Sequence, residues 1–167
     1  MPLHSLELLP DAAGHAAVRR DWQALRDAGL PSQLDHQGDT NAPHVTLLEA
    51  TAIDAEVEAL ARELVAPLLP FTVRAAGLVL LGGRRLTVAR LAEVPEPVVR
   101  AALELRAAVA DRRHDGWLPH VTLARRIDRS QVQAAVDAVG NGELALTITE
   151  LRRWDPDSRS VRTLSRT

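Results

Sequence analysis

The run Pro43-His44-Val45-Thr46-Leu47 recurs letter for letter as Pro119-His120-Val121-Thr122-Leu123, with the two histidines 76 positions apart (120 − 44). This repeat constrains the fold in two ways. Each copy alternates polar and apolar side chains with the period of a β-strand, whose successive side chains point to opposite faces. His and Thr therefore share one face, while Val and Leu share the other. The second constraint is architectural, because each half of the chain must offer an equivalent setting for the same strand. A strand whose Val/Leu face is fixed in a core holds an imidazole and a hydroxyl side by side, pointing away from that core. Two such strands brought together offer two titratable rings with two hydroxyl donors between them. Imidazole is the side chain best suited to moving protons near neutral pH, and a pair can serve opposite sides of one reaction. A merely solvated polar face has no need of the same residues twice.

The remaining chain supports a duplication. Leu3 to Leu9 reads as a short strand closed by Pro10-Asp11, and Val18, Trp22 and Leu25 mark a helix from about Ala12 to Ala28, stopped by Gly29 and Pro31. Gln33 to Asn41 is polar and turn-rich apart from Leu34, and is expected as a loop leading into the first His-x-Thr strand. Asp54 is the expected N-cap of a helix carrying Val57, Leu60, Ala61 and Leu64 on one face, ended by Pro67 and Pro70. Phe71 to Leu81 and Arg85 to Leu91 read as a hairpin turning at Gly82-Gly83. Pro95 and Pro97 open a helix with Val98, Ala102, Leu105 and Val109 at helical spacing, and Asp111 to Gly116 is the turn before the second His-x-Thr strand. A short helix capped by Asp128 or Ser130 places Val132, Ala135, Val136 and Val139 inside. Strands around Leu144 to Ile148 and Val161 to Leu164 close the chain. Strand, helix, His-strand, helix thus occurs twice. The prediction is an α+β fold with mostly antiparallel sheets, since hairpin signals outweigh those of a doubly wound parallel sheet.

Size and composition narrow the function. A chain of 167 residues with 46% apolar content is long enough for one domain with a sizeable core. There is no cysteine, so disulfides, thiolate nucleophiles and thiolate metal sites all drop out. The opening residues lack the pattern of a signal peptide, and no apolar run approaches a membrane span, so a cytoplasmic protein without membrane attachment is expected. A net charge of −2 shows no broad footprint for long nucleic acid. All 20 basic residues are nevertheless arginine, whose guanidinium group suits bidentate contact with phosphate.

Two His-x-Thr strands about half a chain apart, in a small duplicated α+β chain, resemble the 2H phosphoesterase superfamily. The run from Pro119 through Thr122 to Ala124 and Arg125 looks like the second motif of its 2′-5′ RNA ligase-like (RNA 2′,3′-cyclic phosphodiesterase) branch, which also carries an aromatic residue near the position of Trp117. The opening strand Leu3 to Leu9 departs from the branch's more apolar one. The resemblance implies a single domain over residues 1–167 made of two pseudo-symmetric lobes. Each lobe contributes one His-x-Thr strand to a central cleft, and helices lie on the outside. It further implies a monomer that needs no metal or other cofactor and acts on RNA ends or small cyclic nucleotides by opening 2′,3′-cyclic phosphates. Some members join RNA ends through the reverse reaction.

On that resemblance, His44, Thr46, His120 and Thr122 are the expected catalytic residues. His120 would deprotonate water and His44 would protonate the departing ribose oxygen, leaving a terminal 2′-phosphate, although nothing in the sequence orders the two rings. The threonines would donate to non-bridging phosphate oxygens. Arg125 is the candidate phosphate anchor, the alternative being a solvated arginine beside Arg126. Trp117 either stacks on a nucleobase or belongs to the core. His36 and His114 precede the two motif strands and are expected in solvated loops, with one of them able to line the rim. Two rival readings remain. In one, His44 and His120 share a metal with Asp35 or Asp39, although no His-x-His or Glu-x-x-His unit is present. In that context Asp54, Glu56 and Glu58 look like a carboxylate cluster, but they open a helix and favour its dipole. In the other, the fold is a non-catalytic module that binds nucleotides or RNA ends.

Overall fold

The computed structural model describes residues 3–38 and 40–167. Seven strands and four α-helices follow in the order β1 (His4–Pro10), α1 (Ala12–Asp27), β2 (Val45–Ala50), α2 (Ala55–Val65), β3 (Phe71–Gly82), β4 (Leu86–Glu93), α3 (Glu96–Ala107), β5 (His120–Ile127), α4 (Val132–Val139), β6 (Leu144–Asp155) and β7 (Ser160–Arg166). Every strand pairing is antiparallel, as the hairpin signals predict. The fold is the expected α+β type.

The strands form one sheet in the order β1-β2-β5-β4-β3-β6-β7, with an added pairing of β1 to β6. That closure rests on the length of β6. Its Leu144–Ile148 part pairs with β3, while Ile148–Trp154 pairs with β1 and Glu150–Asp155 with β7. Two sets of four strands, β2-β1-β6-β7 and β5-β4-β3-β6, therefore share β6. They meet again where Val45 pairs with Val121, the single register pair between β2 and β5. These valines are the central residues of the two pentapeptides, so the repeats lie side by side in opposite directions.

Local chemistry accounts for the element ends. Asp11 accepts from the Gly14 amide to start α1, and Asp54 accepts from the amides of Glu56 and Val57 to start α2. The hairpin needs glycine at position 82, where φ is +104° and a Cβ would lie 2.8 Å from the Arg85 carbonyl oxygen. Within the core, Val45, Leu47, Val121 and Leu123 of the motif strands are buried together with Trp22, Leu105 and Ile148. Each such aliphatic side chain contributes about 1.5–3 kcal/mol of burial.

Several local expectations change. Residues 33–35 form a 3-10 turn capped by Ser32, with Leu34 packed on the core, because the Ser32 hydroxyl accepts from the Leu34 amide and the Asp35 carboxylate from the Ser32 amide. Val136 is exposed, since α4 is a short helix that buries only Ala135 completely. Glu58, read in the sequence only as favouring the dipole of α2, is buried against Arg153 and Arg162, whose guanidinium groups compensate its charge.

Candidate active site

The register at Val45 and Val121 brings the polar faces of both pentapeptides to one opening. A cavity of about 750 Å³ is lined by His44, Thr46, Trp117, His120, Thr122 and Arg125, all six residues singled out in the sequence. The two rings are held alike: His44 Nδ1 lies 2.7 Å from the Ala42 carbonyl oxygen, and His120 Nδ1 lies 2.7 Å from that of Leu118. A carbonyl oxygen can only accept, so each Nδ1 carries a hydrogen and donates it. Each Nε2 is left either to take a proton when the ring is neutral or to give one when it is charged.

The motif threonines are tied down by indole groups. Trp117 Nε1 donates to the Thr46 carbonyl oxygen at 2.8 Å, and Trp22 Nε1 of α1 donates to that of Thr122 at 3.1 Å. Trp22 is buried in the core. Trp117 combines the two alternatives set for it, being half-buried against the core while one part of the ring forms cavity wall.

The walls are rich in guanidinium groups. Arg125 is exposed and lines the cavity together with Arg85, Arg106 and Arg113. Arg85 pairs with Asp128 at 3.2 Å and Arg113 with Glu49 at 3.1 Å. Arg106 is buried on α3 and donates to the carbonyl oxygens of Leu47 and His114, which ties helix, motif strand and the loop before β5 together. Burial, followed by the nearby charge of Arg112, lowers its pKa from the ordinary arginine value. Nothing in the sequence distinguished Arg106 and Arg113 from the other arginines, because they come from α3 and a loop that meet Arg85 of the β3–β4 turn only in the folded chain.

The most consequential residue missed by sequence reasoning is Glu7. It sits on β1 between Leu6 and Leu8, in an alternation that points to a solvated face, yet it is buried. Its Oε2 accepts from Arg152 Nε at 2.7 Å, its Oε1 accepts from the Ser5 hydroxyl at 2.8 Å, and Oε1 lies 3.7 Å from His44 Nε2. Burial pushes the Glu7 pKa up, but the charges of His44 and Arg152 and the hydrogen bonds from Arg152 and Ser5 outweigh it. The result is a carboxyl held below its ordinary value. A glutamate paired with an arginine 145 positions away leaves no local signature.

His114, expected in a solvated loop, lines the cavity, whereas His36 does not. Asp35, one of the two proposed metal partners, does not line the cavity that holds the two rings. Asp35 is engaged by Arg26 and the Ser32 amide, and Asp39 lies outside the described residues. His4, Asp155 and Asp157 approach one another elsewhere, but the Arg153 guanidinium donates to His4 Nδ1 at 2.8 Å and occupies the nitrogen.

The 2′-5′ RNA ligase superfamily profile matches residues 13–159. No curated protein matches the chain. Among solved structures, TT0787 of Thermus thermophilus is similar with a TM-score of 0.60 at 20% identity, covering 98% of this chain and 96% of that one. Escherichia coli LigT complexed with phosphate gives 0.55 at 20% identity, covering 99% and 95%. Usb1 of Kluyveromyces marxianus gives 0.54 at 14% identity, covering 98% and 97%. At these identities the likeness is one of fold, and the match over most of the chain supplies the family: the protein belongs to the 2′-5′ RNA ligase superfamily of 2H phosphoesterases.

Proposed function

We propose that the protein hydrolyses 2′,3′-cyclic phosphate ends of RNA or nucleotides, with His44 and His120 as the acid–base pair and the chain acting as one domain of two related halves. The observation that carries this reading is the matched anchoring of both rings, Nδ1 to carbonyl at 2.7 Å, on the wall of a single cavity. Opening a cyclic phosphodiester requires water to attack phosphorus in line with a departing ribose oxygen. One ring takes the proton from water as the new P–O bond forms. The other gives a proton to the ribose oxygen as the old P–O bond breaks, yielding a phosphomonoester. Negative charge gathers on the non-bridging oxygens, where the hydroxyls of Thr46 and Thr122 stand beside the rings to donate. Arg125 supplies a fixed positive charge on the same wall. Escherichia coli LigT has been solved with phosphate, with ATP and with 3′-AMP, which supports a nucleotide phosphate as the ligand here.

The test is turnover of nucleoside 2′,3′-cyclic monophosphates and of short RNAs ending in a cyclic phosphate, followed by chromatography of the ring-opened product. His44→Ala and His120→Ala should each lose about 10²–10⁴-fold in kcat. Retention of more than about a tenth of wild-type activity by either variant contradicts the acid–base pair. Ligand binding without product from any of these substrates would favour a non-catalytic binding module.

A further inference from the structure

The strands flanking the two motifs can be compared pair by pair through their register. On β2, Thr46 pairs with Glu7 of β1, and Glu7 in turn pairs with Arg152 of β6. On β5, the corresponding Thr122 pairs with Ala89 of β4, and Ala89 pairs with Val79 of β3. The buried ion pair next to the first motif thus stands where the second motif has an alanine and a valine.

Resting on the acid–base reading above, the geometry points to Glu7 and Arg152 as a positioning pair that makes the two histidines inequivalent, with His44 the ring that carries the proton to the leaving oxygen and His120 the ring that accepts one from water. Glu7 divides its carboxylate between two tasks. Oε2 is fixed by Arg152, whose Nη2 also donates to the Thr40 carbonyl oxygen in the segment leading to His44. Oε1 is turned toward the ring and set in place by the Ser5 hydroxyl. At 3.7 Å from Nε2, Oε1 is too far to accept a hydrogen bond, yet near enough for a charge to be felt in a site shielded from bulk water. The carboxylate thus faces Nε2 without being hydrogen-bonded to it, and a proton carried there stays available for transfer. His120 has no carboxylate within ion-pairing distance among the described residues, and its Nε2 suits the role of acceptor.

The other charged groups around His44 do not reproduce this arrangement. Arg106 approaches from α3 but is spent on the Leu47 and His114 carbonyl oxygens. His15 of α1 feels Arg152 and Arg19, and it does not line the cavity. Glu49, the carboxylate lining the cavity, is paired with Arg113 at 3.1 Å, and His120 and Arg125 on the same wall bring no negative charge.

The experiment is the pH dependence of kcat/KM for a nucleoside 2′,3′-cyclic monophosphate in the wild type, in Glu7→Gln and in the double variant Glu7→Gln/Arg152→Gln. With His44 as the acid, Glu7→Gln moves the descending, high-pH limb to lower pH by about one unit and leaves the low-pH limb in place. The double variant moves it the same way by less, because no unpaired guanidinium remains. It also carries the test if the single variant fails to fold. Unchanged limbs in the folded variants overturn the inference, and so does movement of the low-pH limb, which would make His44 the base. A wild-type protein that opens no cyclic phosphate refutes the functional reading itself, a result distinct from either of these.

Discussion

At the scale of single residues, the proposed chemistry needs donors as much as proton carriers. Thr46 and Thr122 lie one position beyond the paired valines, each with its carbonyl oxygen held by an indole, so their side chains share the face that carries the rings. Thr122→Val keeps volume and strand preference while removing the hydroxyl. Its kcat on a cyclic nucleotide should fall by about 10²–10³-fold, as for loss of one oxyanion donor, with an unchanged circular dichroism spectrum. A fall of less than about threefold would take Thr122 out of the chemistry.

At the scale of elements, the site depends on how helix and strand are joined. Trp22 fills the core from α1 and in the same stroke satisfies the Thr122 carbonyl oxygen. Trp22→Phe preserves most of the apolar contact but leaves that oxygen short of a donor. It should lower the free energy of urea unfolding by about 1–3 kcal/mol. The motif strands themselves were legible, because a period-two pattern repeated letter for letter has few other readings. The start of α2 was legible for the same local reason, since the Asp54 side-chain oxygen caps its own helix. The extent of β6 was not, because its second half alternates less clearly and becomes strand through pairing with β1 and β7, the first of them far away in sequence.

For the molecule as a whole, Glu7 links the site to stability. Its pKa in the fold lies below the ordinary value of 4.5, so the stability it contributes is fully present above that pH and is lost as the pH falls through the depressed folded value. The free energy of unfolding in urea should therefore decline on acidification below about pH 4.5, and should decline less steeply in Glu7→Gln. At pH 7 the same variant should be about 3–5 kcal/mol less stable than the wild type, since Arg152 is left buried without its partner.

Of the residues lining the cavity, His44, Thr46, His120 and Thr122 were visible in the sequence through a strand alternation repeated as a pentapeptide, and Trp117 and Arg125 through the family resemblance of the second motif. The sequence by itself determined the α+β class, the motif strands and the candidate proton carriers, all of which follow from backbone periodicity and side-chain chemistry over a few neighbouring positions. Only the tertiary structure decided that the repeats pair at Val45 and Val121, that arginines from three parts of the chain converge on the rings, and that a buried carboxylate stands beside one histidine and not the other. Those outcomes depend on strand register and on charges brought together from opposite ends of the chain, and neither leaves a mark in the spacing of residues.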